Sequence, residues 1–115
     1  MSPIWLRIVG VSGFSAVALG AYGAHGVGFE NDTFRETWKT ANMYHFIHTC
    51  ALGLSATHFI GRKRLITSAL FLSGIVLFSG SLYVVAITNS RKPYGAVAPY
   101  GGMMLMAGWL AVGFL

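Results

Sequence analysis

The sequence contains few charged residues, and acidic residues are almost absent from it. Only 10% of the 115 residues are Asp, Glu, Lys or Arg, whereas soluble proteins average about 25%. The three acidic residues, Glu30, Asp32 and Glu36, lie close together in one polar segment. No carboxylate is therefore present in the apolar parts of the chain, which excludes the di-iron site built from Glu-x-x-His motifs on paired helices.

Other features that support enzymatic chemistry are also missing. The single cysteine, Cys50, excludes an intramolecular disulfide and says nothing about the redox compartment. The glycine-rich stretch GAYGAHG at 20–26 lacks the Lys-Ser/Thr pair that completes a phosphate-binding loop. Despite a net charge of +5, no basic stripe with interleaved aromatic residues is present. We predict no catalytic residues, no metal, no cofactor and no nucleic-acid partner.

Apolar residues, by contrast, make up 55% of the chain. They form four nearly charge-free segments, at 4–24, 38–60, 65–88 and 96–115. At 1.5 Å per residue, each is roughly long enough to cross a hydrocarbon core of about 30 Å. Since lipid satisfies no backbone polar groups, segments of this kind must be helical. The sequence therefore predicts one transmembrane domain, 1–115, folded as an all-α integral membrane four-helix bundle with both termini on the same side.

The segments between the spans carry the helix ends and the charges. Asp32 is a candidate N-cap for the second helix, and Pro99 suits the first turn of the last one. Five basic residues between spans are predicted to anchor the protein at lipid headgroups: Arg62, Lys63, Arg64, Arg91 and Lys92. Four of the eight Lys and Arg residues fall on each side of the membrane, so the counts do not determine orientation.

Small residues recur along two of the predicted spans. In the first span and the fourth, the positions predicted to permit close helix packing are Ser12, Ala16, Gly20, Ala24, Gly101, Gly102 and Gly108. Such stripes let helix backbones approach closely in lipid. They are expected mainly to pack the helices of one bundle, with an interface to another subunit as the alternative.

Histidine supplies the candidate site. His45 and His48 are three residues apart in the second span, with Tyr44 beside them. Ionisable groups within membrane helices are costly and usually face the bundle interior, which makes them candidates for function. His25, at the end of the first span, lies on the membrane side where the second span begins. The candidate ligand or proton site is therefore His25, Tyr44, His45 and His48, and the alternative is that these histidines only hydrogen-bond to neighbouring helices.

Several motifs together resemble a known family. They are GAYGAHG at 20–26, the W-x-x-A-x-x-Y-H-x-x-H arrangement from Trp38 to His48, FSGSLY at 78–83 and APYGGMMLMAGWL at 98–110. This combination is similar to the transmembrane protein 256 family, also described as domain of unknown function 423. The resemblance implies a small four-helix membrane protein, mitochondrial in animal members, and brings no established activity or catalytic residue.

These observations favour a non-enzymatic structural or accessory subunit. Its expected partners are membrane lipids and other membrane subunits or further copies of itself, in a homo-oligomer or a larger assembly. The expected location is the mitochondrial inner membrane in a eukaryote or the cytoplasmic membrane in a bacterium. The alternative is a ligand-binding or transport protein that uses the region of His45 and His48 for a lipid headgroup, quinone, metal or proton.

Overall fold

A computed structural model describes residues 3–26 and 28–115, and the described residues are helical apart from short connections. The chain forms helix α1 (Pro3–His25), helix α2 (Asp32–His58), helix α3 (Gly61–Thr88) and helix α4 (Ala98–Phe114). A short 3-10 turn, Tyr94–Ala96, precedes α4. The described residues contain no strand. The all-α prediction is confirmed.

Successive helices run antiparallel, as their contacts show. Along α1 and α2, Ser12 pairs with Thr49 whereas Leu19 pairs with Trp38, so the numbers rise in opposite directions. Between α2 and α3, the rings of Trp38 and Tyr83 are 4.7 Å apart, and on the α3–α4 side Gly108 lies against Phe71. With four alternating helices, both termini lie on one side of the bundle, as predicted.

Helix α2 differs from the predicted second span. It covers most of positions 38–60 but begins six residues earlier, at Asp32. By length and composition, three helical stretches among the described residues are apolar enough to cross a membrane: Ile4–His25, Gly61–Thr88 and Tyr94–Phe114. Helix α2 is not among them because it carries many polar side chains. These are tolerated because α2 packs against both α1 and α3. The polar side chains of Asn42, His45, His48 and Thr49 hydrogen-bond to neighbouring groups of the protein, whereas the buried hydroxyl of Ser55 has no partner among the described residues.

The structure shows which residues begin α2 and α4, where Asp32 and Pro99 were predicted to lie at the helix starts. The N-cap of α2 is Asn31, whose Oδ1 accepts a hydrogen bond from the backbone N–H of Phe34 at 3.1 Å. The prediction of Asp32 as the cap was wrong by one residue; Asp32 is the first helical residue and pairs with Arg35 at 2.7 Å. Pro99 lies in the first turn of α4, as predicted.

Helix α3 contains a π-helical segment, Ile75–Gly80, between two α-helical parts. Such segments add a residue to the turn and often occur at functional sites. On one flank of this segment, Gly101 of α4 lies so close to the backbone of Leu77 and Phe78 that a Cβ at Gly101 would collide with it. The motifs FSGSLY and APYGGMMLMAGWL are therefore two halves of one helix contact.

Two clusters of buried apolar residues hold the bundle together. One joins α2, α3 and α4 through Ala51, Leu52, Phe71, Ile75 and Leu105. The other joins α2 and α3 through Trp38, Ala41, Tyr83 and Ala86. Both clusters include residues of α2, so the most polar helix is also the centre of the packing.

Candidate functional site

A groove opens between α1 and α3 in the described part of the structure. Its volume is about 580 Å³, within the range of about 300–1,000 Å³ that small-molecule sites occupy. Its walls and floor are formed by Ile4, Arg7, Ile8, Val11, Ser12, Ser15 and Leu19 of α1, His45 of α2, and Leu72, Ile75, Val76, Ser79, Gly80 and Tyr83 of α3. We call this opening the α1–α3 groove.

The groove is long, and its rim is apolar. On α1 its lining extends from Ile4 to Leu19, which corresponds to about 22 Å along a helix. The rim residues Val11 and Val76 are 69% and 60% exposed. Since α1 and α3 both qualify as membrane spans, the groove opens sideways toward lipid.

The floor of the groove is a chain of hydrogen bonds centred on His45. Nδ1 of His45 lies 3.0 Å from the hydroxyl of Tyr83, and Nε2 lies 3.2 Å from Oγ of Ser12. A longer contact of 3.5 Å joins Nε2 to Oγ of Ser15. Ser12 Oγ is also 2.6 Å from Oγ1 of Thr49. His45 therefore connects α1 and α3 through α2.

The partners of Tyr83 assign the hydrogen on His45. The amide of Asn42 donates to the carbonyl of Ala16 at 2.8 Å and to the oxygen of Tyr83 at 3.0 Å. Of these two partners of the Tyr83 hydroxyl, only Nδ1 of His45 can accept a hydrogen bond, since the amide N–H of Asn42 is a donor, so the hydroxyl donates to Nδ1. His45 is then neutral, with its hydrogen on Nε2 facing Ser12 and Ser15.

His48 belongs to a different contact, although it is only one turn away. Its Nδ1–H donates to the carbonyl of Tyr44 at 2.8 Å, and its Nε2 accepts the indole N–H of Trp109 at 3.0 Å. Its ring also packs edge-on against Trp109 and tilted against Phe71. His48 thus carries its hydrogen on Nδ1, the opposite tautomer from His45, and ties α2 to α4.

The predicted four-residue site is not assembled as one group. Tyr44 stacks on His48, with ring centroids 5.6 Å apart, and packs against Phe78. His25 is exposed at the end of α1. Thirteen residues separate His25 from Ser12, the partner of His45, or about 20 Å along the helix. The structure brings Tyr44 and His48 together, turns His45 toward the groove, and leaves His25 apart.

The predicted small-residue positions are used mainly inside the molecule. Ser12 and Ala16 are buried, and Gly20 lies under Asn42, whose Oδ1 would be 2.8 Å from a Cβ there. Similarly, a Cβ at Gly108 would lie 2.8 Å from the ring of Phe71. A Cβ at Gly101 would collide with the backbone of Phe78, and one at Gly102 would lie 3.6 Å from the ring of Phe78, whereas Ala24 is exposed.

The GAYGAHG stretch has a packing role too. Trp38 donates its indole N–H to the carbonyl of Leu19 at 3.0 Å and lies across Gly23, where a Cβ would collide with the indole. The ring of Tyr22 packs on the same indole, with centroids 6.0 Å apart. This stretch and the motif that begins at Trp38 therefore form one contact between α1 and α2.

The predicted headgroup anchors lie in or beside the connections between helices. Arg62, Lys63 and Arg64 are in the first turn of α3, and Arg91 and Lys92 follow its end. Lys63 also lies over the ring of Phe59, with its Nζ 4.4 Å from the ring centroid. Among residues 3–26 and 28–115, no three His, Cys, Asp or Glu side chains are close enough to hold a metal ion.

Sequence reasoning missed the groove and most of its polar floor. Ser15 and Asn42 carry no recognisable motif of their own. The motif FSGSLY contains Tyr83 and part of the π-helical segment, but it gave no sign of a groove. One signal was available: polar residues at 42, 45 and 49 of an apolar segment require partners, and the facing span offers Ser12 and Ser15.

Comparison with known proteins gives related sequences without a stated activity. The family model described as "Protein of unknown function (DUF423)" matches residues 19–102. A UPF0382 membrane protein of Bacillus subtilis, YwdK, is 36% identical, over 95% of this chain and 92% of that protein. A UPF0382 membrane protein of Haemophilus influenzae is 36% identical over 99% and 94% of the two chains. One from Schizosaccharomyces pombe is 30% identical over 92% and 94%. No solved structure matches the chain.

Proposed function

We propose that this chain, which belongs to the DUF423 family of membrane proteins, is a non-enzymatic protein that binds a molecule with a long apolar chain. The observation that carries the proposal is the α1–α3 groove, with its volume of about 580 Å³ and its apolar walls. The occupant enters from the bilayer and lies along the groove, between the two spans that form its walls.

The dimensions of the groove support this proposal. Its lining on α3, from Leu72 to Tyr83, corresponds to about 16 Å along the helix, and that on α1 to about 22 Å. One leaflet of a bilayer has a hydrocarbon thickness of about 15 Å, half of the full core. A chain of the length found in membrane lipids therefore matches the groove.

The polar floor supports binding rather than proton transfer. Ser12, Tyr83 and both ring nitrogens of His45 are already paired with one another or with neighbouring side chains. The chain of bonds returns to the backbone of α2, because Thr49 donates to the carbonyl of His45 at 2.6 Å. Such a network holds three helices in register and fixes the depth of the groove.

A role as a structural or accessory subunit stays a prediction, as does the mitochondrial inner or cytoplasmic membrane as its location. The small-residue faces that motivated the subunit role are occupied mainly by contacts inside the bundle. One feature still favours a partner: α1 packs against α2 alone among the major helix pairs, and only 11% of its span is buried. A second copy or another subunit covering α1 is therefore the second candidate function.

The experiment is native mass spectrometry of the protein purified from its host membrane in a mild detergent. We expect the wild type to carry about one chain-bearing molecule per protein, because the proposal assigns binding to one groove. Gly80→Leu should lose it, because Gly80 lines the groove and its missing side chain faces open space. Gly10→Leu is the matched control, since Gly10 also faces open space but lies outside the groove lining.

Two results would contradict the proposal. Either the wild type carries no chain-bearing molecule, or Gly80→Leu retains as much of it as Gly10→Leu does. Helical content and unfolding temperature are measured on all three proteins, to show whether a variant that no longer binds is still folded. A dimer or a stable partner that masks α1, with no bound small molecule, would support the second candidate instead.

A further inference from the structure

The α1–α3 groove contains one charged residue, Arg7, and it lies near one end. Arg7 is one turn into α1, in an otherwise apolar part of the helix. Its side chain forms no ion pair or hydrogen bond with residues 3–26 or 28–115. The three acidic residues of the protein, Glu30, Asp32 and Glu36, are all near the opposite side of the membrane. No acidic side chain is therefore available to neutralise Arg7.

The depth of Arg7 places its charge at the membrane surface. It is four residues from the start of α1, or about 6 Å along the helix axis. A long arginine side chain at this depth extends toward the headgroups and leaves its methylene groups in the apolar region. From Arg7 the groove continues to Leu19, about 18 Å deeper. A charged site at the surface thus leads into an apolar channel about one leaflet deep.

We infer that the α1–α3 groove binds an anionic phospholipid, with its headgroup on Arg7 and one acyl chain along the groove toward Tyr83. This inference rests on the proposed function, and it adds the chemical class of the occupant. A guanidinium offers paired N–H donors that fit a phosphate, and its positive charge favours a headgroup with a net negative charge. The acyl chain packs against the apolar walls below Arg7 and against the floor at His45, which carries no charge.

The charge distribution of the whole protein agrees with this direction of binding. Arg62, Lys63 and Arg64 lie on the same side of the membrane as Arg7, because the turn between α2 and α3 follows two antiparallel helices. On the opposite side, Arg35 and Lys39 are paired with Asp32 and Glu36. Arg91 and Lys92 also lie on that opposite side, which therefore carries four basic and three acidic residues, whereas the side of Arg7 carries four basic residues and no acidic one. The larger net positive charge is thus at the headgroup end of the groove, where it attracts anionic lipid.

The test uses the full chain in vesicles of defined composition. The protein is reconstituted in equal amounts of phosphatidylglycerol and phosphatidylcholine with identical acyl chains, extracted in a mild detergent and examined by native mass spectrometry. We expect the wild type to retain phosphatidylglycerol over phosphatidylcholine by about fivefold. This corresponds to about 1 kcal/mol, the attraction of one basic residue near an anionic surface.

Two arginine variants separate the groove from general surface charge. Arg7→Gln should still retain lipid, because the apolar groove is unchanged. It should retain phosphatidylglycerol and phosphatidylcholine about equally, a ratio of about one, because the attraction of the Arg7 charge for the anionic headgroup is lost. Arg62→Gln removes one cation on the same side but outside the groove lining, and should keep the fivefold preference within about a factor of two. Free inorganic phosphate, added in excess during extraction, should not displace the lipid, because it has no chain to fill the groove.

The outcomes distinguish this inference from the proposed function. Retained lipid without a headgroup preference overturns the anionic lipid and leaves apolar-chain binding standing. Equal loss of preference in Arg7→Gln and Arg62→Gln overturns the placement of the headgroup at Arg7. If no lipid is retained in defined vesicles, while protein from the host membrane carries another chain-bearing molecule, the phospholipid is wrong and the groove function holds. If neither preparation carries a bound molecule, the proposed function fails as well.

Discussion

The two flanks of helix α3 meet their neighbours in different ways. On one flank, α4 approaches until the backbone at Gly101 touches the backbone of Leu77 and Phe78. On the other flank, α1 stays apart and leaves the α1–α3 groove, where Gly80 has open space before it. Both flanks involve the same π-helical segment, Ile75–Gly80. One segment therefore provides a sealed contact on one flank and a binding surface on the other.

A small membrane protein can in this way be stable and still keep an opening. A contact between backbones leaves no gap and depends on the absence of a Cβ, as at Gly101 and Gly108. On the groove flank, α1 and α3 are connected through the floor of the groove, by the hydrogen bonds from His45 to Ser12 and Tyr83. The sealed flank supplies packing, while the floor fixes the separation of α1 and α3.

The two histidines repeat this contrast one turn apart. His48 faces the sealed flank, where both ring nitrogens have short partners at 2.8 and 3.0 Å. His45 faces the groove flank, where its Nε2–H lies 3.2 Å from Ser12 and 3.5 Å from Ser15. The typical N–H···O distance is about 2.9–3.0 Å, so the contacts of Nε2 with the two serines are longer than usual, whereas Nδ1 lies 3.0 Å from Tyr83.

The largest expected effect comes from breaking the sealed flank. Gly101→Ala should lower the free energy of unfolding by about 3 kcal/mol or more, because its Cβ would collide with backbone atoms of Leu77 and Phe78 rather than with a flexible side chain. Gly102→Ala is the control in the same turn, since a Cβ there would be 3.6 Å from the ring of Phe78. Unfolding in mixed micelles, followed by circular dichroism, measures both. Equal stability of the two variants would mean that the flank is not sealed at Gly101.

An intermediate effect is expected from removing each histidine. His45→Ala should cost about 1–3 kcal/mol, because the buried hydroxyls of Ser12 and Tyr83 lose a partner. His48→Ala should cost about 1 kcal/mol, since it removes one interhelical bond, to the partly exposed Trp109. The same unfolding measurement ranks them, and a larger loss for His48→Ala would contradict this order.

The tautomers give a second readout for this pair. In nitrogen-15 spectra of the labelled wild type, His45 should carry its hydrogen on Nε2 and His48 on Nδ1, because their partners differ in this sense. The two alanine variants assign the signals. Identical tautomers would show that the two residues do not face different environments.

The smallest effect is expected on the groove flank. Gly80→Ala should leave the unfolding free energy unchanged or raise it by about 0.5–1 kcal/mol, because alanine favours the helix and its Cβ meets open space. Gly10→Ala, which also faces open space, should behave alike. A loss of stability in Gly80→Ala alone would indicate that the groove closes in the membrane and that the contrast between the flanks is smaller than described.

Some of the candidate site followed from the sequence. Ionisable residues in an apolar segment were expected to face the interior, and His45 and His48 are each only 5% exposed. The grouping of His25 with them did not follow, because proximity to the same membrane side does not fix depth. Leu19 of α1 lies level with Trp38, near the start of α2. His25 is six residues beyond Leu19, toward the membrane surface, whereas His45 is seven residues beyond Trp38, toward the membrane interior. The end of one helix and the middle of another are far apart when the helices are antiparallel.

The sequence alone determined that this protein is an all-α membrane bundle with its termini on one side. Long apolar segments must be helical in lipid, and an even number of them returns the chain to its starting side. The sequence does not show which flank of α3 is sealed, which tautomer each histidine takes or where a groove remains. These features depend on the register between helices distant in sequence, such as Gly101 against Phe78 and Ser12 against Thr49. Periodicity within one helix shows which residues share a face, but not which residues of another helix they meet.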